Sequence, residues 1–451
     1  MKAEIYTTCG CGSQNQCGQE SVVFKEDMQG TEAHVINIYP EAEFEKFESF
    51  GGAVTDSAAY VYSLMDEKQK AEVIQMYFKN TQMKYEVVRI HMDSCDFSTE
   101  MYEAMSDEAD TKLKSFTFKR TEKYIIPMLA DAQKAAGKPL RLMLSPWSPP
   151  AFMKSNHART QGGCLKEKYF GLWAEYICRY IEEFQKRGFE VQRISLQNEP
   201  KAVQTWDSCV YSSEQEKRFL SDYMYPALLK HGMEEIEIFI WDHNKERVYE
   251  RVREVVDKQT EKMISGVAFH WYSGDHFEAL QLIRKQYPYL KLITSESCIE
   301  YSKFGSDEQW KNAARLSHEI IGDLNNGMTA FYDWNLLLDS KGGPNHVGNY
   351  CQAPYLYDMK KKELLPQLIQ KHFYHFSHYI EHGAMRTGFS KYTDALDVTV
   401  FKNPNGQLIF IILNRTQENL PVVLRLNGKI SEMTVWAESI CTGVIEDKEE
   451  V

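Results

Sequence analysis

Arg193-Ile194-Ser195-Leu196-Gln197-Asn198-Glu199-Pro200 is the stretch whose reading decides the fold. Val191 to Leu196 is aliphatic and β-branched, the composition of a short buried strand. It stops in Asn-Glu-Pro, where Pro200 has no N–H to give to a sheet ladder. An amide and a carboxylate at the carboxyl end of a buried strand stand where barrel enzymes carry their chemistry. Taken alone, a glutamate salt-bridged at the rim of a sheet would look the same. The rest of the chain separates the two readings.

Outward from this stretch the same unit recurs. Phe50-Gly51-Gly52-Ala53-Val54-Thr55-Asp56 is a strand entering a glycine-rich turn, with Asp56 at its end and an amphipathic segment running on through Phe78. The glycine pair lacks the lysine and the spacing of a phosphate-binding loop. Tyr85 to Met92 closes on Asp93, Cys95 and Asp96, and Leu140 to Leu144 opens into Ser145-Pro146-Trp147-Ser148. After Glu199 come Ile236 to Trp241 with Asp242-His243-Asn244, and Ile264 to Phe269 with His270-Trp271-Tyr272. Lys291 to Thr294 runs into Ser295-Glu296-Ser297-Cys298, and Met328 to Tyr332 into Asp333-Trp334-Asn335. Apolar spacings of three and four predict helices between them, at about 120–136, 168–187, 248–256, 277–286 and 312–325, with Gly188 ending the second. Eight strands, most followed by a helix, imply parallel pairing and a closed (β/α)8 TIM barrel.

Both chain ends differ from this middle. His34 to Tyr39 alternates like a half-buried strand, and alternation returns beyond His382 at Asp394 to Phe401, Gln407 to Leu413, Leu420 to Leu426 and Glu432 to Ala437. Pro404-Asn405-Gly406 is a hairpin signal between the first two of these. The expected organisation is an α/β barrel at 44–380 fused to an antiparallel β-sandwich built from residues 1–43 and 381–451.

Composition narrows the partners. The chain has 451 residues, 43% hydrophobic and 26% charged, with a formal net charge of −12 and no basic cluster for phosphates. Nucleic acid is therefore not an expected partner, and no window is apolar enough for a membrane span. Met1-Lys2-Ala3-Glu4 opens no secretory signal and most of the ten cysteines are scattered singly, so the expected location is cytoplasmic. Cys9, Cys11 and Cys17 lack a fourth ligand and make a poor zinc site, and the spacings of His91, His270 and His346 match no metal pattern. They read as reduced loop thiols and satisfied barrel histidines; no cofactor and no metal is expected. Asn414-Arg415-Thr416 matches a glycosylation sequon by chance. Aromatics at 13% fall often at strand ends, where rings serve as stacking platforms for sugars. Oligomeric state is not legible.

Asn198-Glu199 ends the fourth strand and Glu296 the seventh, on opposite sides of the barrel mouth. Retaining glycosidases need two carboxyl groups about 5 Å apart, one as acid/base and one as nucleophile. With Trp147, Tyr272 and Trp334 flanking the pair, glycoside hydrolysis is the reading that absorbs all of these residues.

Seven motifs in order now resemble glycoside hydrolase family 30, in its glucosylceramidase-like branch. They are Phe-Gly-Gly-Ala-Val-Thr-Asp (50–56), Ser-Cys-Asp-Phe-Ser (94–98), Ser-Pro-Trp-Ser-Pro-Pro-Ala-Phe-Met-Lys (145–154), Gln-Asn-Glu-Pro (197–200), His-Trp-Tyr (270–272), Ser-Glu-Ser-Cys (295–298), and Asp-Trp-Asn (333–335) with Gly-Gly-Pro-Asn-His-Val (342–347). The resemblance implies a TIM barrel fused to a β-sandwich and a retaining mechanism on a β-glycoside, small-molecule or oligosaccharide. It implies Glu199 as acid/base and Glu296 as nucleophile. It implies Asp56, Trp147, Asn198 and Trp334 as the shell around the sugar, Tyr272 as the residue steadying the nucleophile, and Asn349 as a further pocket residue. Asp242-His243 departs from the two aspartates of the lysosomal glucosylceramidase, so His243 is expected to meet a different hydroxyl pattern. Trp206 to Cys209 is also its own and borders the leaving-group side. Asp93 and Asp96 read equally as substrate ligands or as ion-pair partners of Arg89, and Glu300 as a surface residue.

The expected activity is that of an exo-acting β-glycosidase, glucosidase- or glucosylceramidase-like, with a place in carbohydrate or sphingolipid metabolism. The alternatives are an endo-β-1,6-glucanase or β-xylosidase of the same family and, from another class, a non-catalytic sugar-binding barrel, which could dispense with one glutamate. A barrel lyase or aldolase would want a strand-end lysine or a metal cluster.

Overall fold

The computed structural model describes residues 1–10 and 18–446; Cys11 and Cys17 lie outside the described residues. Eight parallel strands close into a barrel in chain order. They are Ser49–Ala53, Val87–Met92, Arg141–Pro146, Glu190–Ser195, Glu237–Asn244, Gly266–His270, Lys291–Glu296 and Met328–Asp333, called here the first to eighth barrel strands. The eighth strand closes on the first through Phe331 against Phe50 and Tyr332 against Gly51. Strand pairing explains the glycine pair. A Cβ on Gly51 would sit 1.9 Å from the Val87 carbonyl oxygen, and one on Gly52 would sit 2.4 Å from a Leu336 methyl. Close packing at the barrel seam, and no ligand loop, requires glycine there.

Val87, Met143, Phe239, Ala268, Ile293, Ala330 and Tyr332 form one apolar cluster inside the barrel, contributed by strands two, three, five, six, seven and eight. At the amino end Arg193 is fully buried and pairs with Glu48 at 2.6 Å and Glu237 at 3.0 Å. Helices cover the outside. Phe170–Lys186 turns Phe170, Trp173, Ile177, Tyr180, Ile181 and Phe184 inward, at the three- and four-residue spacing read from the sequence. Gly188 follows it at φ +82°, the left-handed conformation that costs glycine least.

The chain ends make one ladder of ten strands that folds over its own core, with Lys2–Cys9 and Val35–Lys46 interleaved among the strands after Met385. Ala3, Ile5, Ile36, Val398, Phe410 and Leu424 meet in that core. Leu396–Lys402 and Leu408–Asn414 form the hairpin expected around Gly406. Met385–Ser390 and Ser439–Glu446 are strands that alternation alone did not single out. The sandwich docks on the barrel through His375, whose ring nitrogens lie 2.8 Å from Thr442 Oγ1 and 2.9 Å from Thr8 Oγ1. The sequon asparagine, Asn414, is fully buried with its amide donated to the carbonyls of Glu418, Val435 and Trp436.

Candidate active site

The polar strand ends converge on a cleft of about 160 Å³ at the carboxyl end of the barrel. A residue from the middle of the second strand holds it together. Arg89 is fully buried and donates through Nη1 to Glu296 Oε2 at 2.6 Å, and through Nη2 to Asn198 Oδ1 and Asp242 Oδ2, each at 2.8 Å. Its guanidinium lies 4.8 Å from the Trp147 ring and 5.5 Å from the Trp334 ring, and those two indoles stack 5.3 Å apart. One fork thus sets the nucleophile candidate, the neighbouring amide and the aromatic floor together.

Asp242 answers the arginine. Its carboxylate also accepts from Ser195 and Ser295, each at 2.5 Å, and faces His270 Nε2 at 3.2 Å. Burial works against its ionisation, but Arg89 and His270 hold it far below the usual carboxylate range. The backbone is bent to achieve this. Pairing jumps from Ala268↔Trp241 to Phe269↔His243, a bulge that skips Asp242, with Trp241 at φ +76° and Asp242 at φ +49°. Glu199 is also left-handed, at φ +47°, and its N–H donates to the Asp242 carbonyl at 2.9 Å. Such conformations cost on the order of 1–3 kcal/mol each in non-glycine residues and concentrate at functional sites.

His270 bridges the two halves of the site, with Nδ1 3.2 Å from Glu199 Oε1 and Nε2 facing Asp242. Burial would lower its pKa, but Glu296, Asp242 and Glu199 raise it to about 9. At neutral pH it is an imidazolium, facing the Asp242 carboxylate through Nε2 and the Glu199 carboxyl group through Nδ1. Tyr272 donates its hydroxyl to Glu296 Oε1 at 2.9 Å.

The chain matches the glycosyl hydrolase family 30 TIM-barrel domain over residues 47–380 and the family 30 beta sandwich domain over residues 383–443. It belongs to glycoside hydrolase family 30. Over 410 residues it is 28% identical to the lysosomal acid glucosylceramidase of Mus musculus, covering 86% of this chain and 79% of that protein. An endo-1,6-beta-D-glucanase of Neurospora crassa is 24% identical over 323 residues, 70% of this chain and 65% of that one. The crystal structure of SrfJ from Salmonella typhimurium superposes with a TM-score of 0.95 at 34% identity, covering 99% of this chain and 100% of the other. The chain is accordingly a glycoside hydrolase.

The family 30 cleft gathers Glu199, Glu296, Trp147, Asn198, His243, Tyr272, Trp334 and Asn349 in its walls. Asp56 is a correction. Its carboxylate is buried away from the cleft, accepting from the Thr99 N–H at 3.0 Å and from Arg120 Nε and Nη2 at 2.9 Å. Its place is taken by Asp96, which lines the cleft and accepts from Asn349 Nδ2 at 3.2 Å. Burial and Glu296 raise Asp96 well above the carboxylate range. Neither Asp93 nor Asp96 pairs with Arg89; Asp93 is held by Tyr176, Tyr180 and Arg159. Glu300 is a second correction, since it lines the cleft and is only partly exposed.

Sequence reasoning missed Arg89 and treated His270 as a satisfied barrel histidine. The signal for His270 was its strand-end place beside Tyr272; a mid-strand arginine gives none. His91 is satisfied through the Asp56 N–H and the Asp93 carbonyl, whereas His346 meets the Ser98 carbonyl through Nδ1 and its buried Nε2 has no hydrogen-bond partner among the described residues. Among the described residues no group of three or more His, Cys, Asp or Glu side chains is placed to hold a metal.

Proposed function

We propose that this family 30 glycoside hydrolase is a retaining, exo-acting β-glycosidase, with Glu199 as acid/base and Glu296 as nucleophile. The observation that carries the reading is the unequal donor set on the two carboxyls. Glu296 receives Arg89 at 2.6 Å and Tyr272 at 2.9 Å, whereas Glu199 faces His270 alone at 3.2 Å. Burial opposes ionisation of both groups, and with every neighbour charged Glu199 falls below the usual carboxylate range while Glu296 rises above it. His243, then His270, draw Glu199 down, but His243 is itself driven below its usual range by burial. It is therefore uncharged at neutral pH, and its pull on Glu199 is felt only in acid. Donors to the ionised form favour that form, so the proton shared by the pair belongs on Glu199 and the charge on Glu296.

The cycle follows. Glu199 gives its proton to the glycosidic oxygen as the bond to the anomeric carbon breaks, and Glu296 attacks that carbon to form a glycosyl ester. A water deprotonated by Glu199 then releases the sugar and restores both carboxyls. Asn198, oriented by Arg89, is the partner for the sugar 2-hydroxyl, and the Trp147–Trp334 stack carries the ring. A cleft of about 160 Å³ supports exo action, because a groove for several sugars needs more room. β-Linked glucose is the preferred glycone, by analogy with the glucosylceramidase-type relative. The Neurospora crassa endo-1,6-beta-D-glucanase supports a second reading as an endo-β-1,6-glucanase.

The test is hydrolysis of aryl β-glucoside, xyloside, fucoside and galactoside by the wild-type chain, Glu199→Gln and Glu296→Gln. Release from one sugar, falling at least about a thousandfold in Glu296→Gln, supports the reading. Cleavage only of longer β-1,6-glucans by wild type favours the endo enzyme. Activity surviving in Glu296→Gln removes it as nucleophile.

A further inference from the structure

Glu300 is a third carboxylate at the mouth, on the loop after the seventh strand, four residues beyond Glu296. Its backbone is fixed: it bridges Cys351 across the loops and caps the short helix Tyr301–Phe304. Its carboxylate is not used in that cap, and no donor among the described residues hydrogen-bonds to it. Lys303, the cation nearest in sequence, donates instead to the Tyr272 carbonyl at 2.9 Å. Burial raises Glu300 above the usual carboxylate range; the charge of Lys303 offsets part of that rise, and Glu199 and Glu296 add to it. Glu300 and the acid/base candidate Glu199 line the same cleft, and the leaving group departs on the side of the acid/base. Gln204 and Trp206, from the loop that follows Glu199, line the same cleft.

We propose that Glu300 selects the leaving group, accepting hydrogen bonds from the hydroxyls of a second sugar beyond the cleaved bond, with Trp206 as the flat apolar surface for that ring. The inference rests on the assignment of Glu199 and Glu296 above. A partly buried carboxylate without a donor is poorly solvated, and hydroxyl donors from a ligand relieve it through charge-assisted bonds. An apolar leaving group would cover the carboxylate and leave it unpaired, which is how a polar pocket rejects an analogue lacking the hydroxyl. An anionic leaving group would meet like charge.

The experiment compares kcat/KM on a β-linked disaccharide, a cyclohexyl β-glycoside and an aryl β-glycoside of the same glycone, for wild type, Glu300→Ala and Glu300→Gln. Both alcohols are poor enough leaving groups to need the proton from Glu199, but cyclohexanol has no further hydroxyls, so the effect of Glu300 is read from how the ratio changes on substitution. The expected result is that wild type favours the disaccharide over the cyclohexyl glycoside. Glu300→Ala should lower that ratio about 10- to 100-fold and Glu300→Gln, which keeps an acceptor of the same shape, by less. Equal losses on the disaccharide and the cyclohexyl glycoside would mean that Glu300 acts through Glu199, and would overturn the proposal. So would a wild-type preference for the cyclohexyl glycoside. Loss of the two-glutamate assignment would appear separately, as aryl-glycoside turnover that survives in Glu296→Gln.

Discussion

Replacing Arg89 with methionine removes the fork while keeping the length of the side chain. Two buried ion pairs break at once, to Asp242 and to Glu296, both within 2.8 Å. Removing one partner of a buried pair costs about 3–5 kcal/mol, because the other charge stays buried without compensation. Unfolding entropy of about 2.1 cal/mol/K per residue makes a chain of this size lose about 1 °C per kcal/mol, so the melting temperature should fall by about 3–5 °C. Catalysis should change in a characteristic direction. A charge-assisted hydrogen bond is worth about 1.5–3 kcal/mol to the ionised carboxylate, and a pKa unit corresponds to about 1.36 kcal/mol. The acid limb of the kcat/KM profile, set by ionisation of Glu296, should therefore move up by about one to two pH units. Differential scanning fluorimetry and a pH–rate profile on the best aryl glycoside read both effects. A folded Arg89→Met with a wild-type melting temperature and an unmoved acid limb would refute the place given to Arg89.

His270→Asn should destabilise the chain in a pH-dependent way. The folded pKa of about 9 lies above the ordinary 6.5, so the stabilisation is full below about pH 6.5 and is lost as pH rises through about 9. The melting-temperature gap to wild type should be widest in mild acid and close by about pH 10; a gap that widens with pH would contradict the imidazolium. Asp96→Asn should lower kcat/KM about 10- to 100-fold with little change in melting temperature, while Asp56→Asn, which loosens Arg120 and Thr99, should do mainly the reverse. If the two patterns are exchanged, Asp56 belongs to the cleft after all. Gly51→Ala puts a carbon 1.9 Å from the Val87 carbonyl oxygen, so a loss of at least about 4 kcal/mol, seen as insolubility or a large fall in urea midpoint, is expected.

Much of the architecture is written in local pattern. Apolar strands ending in polar residues, separated by helical periodicity, sufficed for the barrel, because each strand–helix unit buries its own apolar face. Glu199 and Glu296 were legible for the same reason: a strand end fixes the face of the barrel on which a side chain emerges. The strands Met385–Ser390 and Ser439–Glu446 were less legible, since their partners lie far away in the chain and their alternation is weak.

What the sequence by itself determined, then, is which residues arrive at the carboxyl end of the barrel. Only the tertiary structure decided which of them face the cleft. Asp56 and Asp96 both follow barrel strands, but Arg120 on the helix Lys119–Ala136 captures the first, and Asn349 from the segment after the eighth strand meets the second. Arg89 carries no sequence signal because its partners Asn198, Asp242 and Glu296 come from three other strand ends, brought within 2.8 Å only when the barrel closes. Local pattern reports burial and direction. The pairing of buried charges depends on distances that closure alone creates.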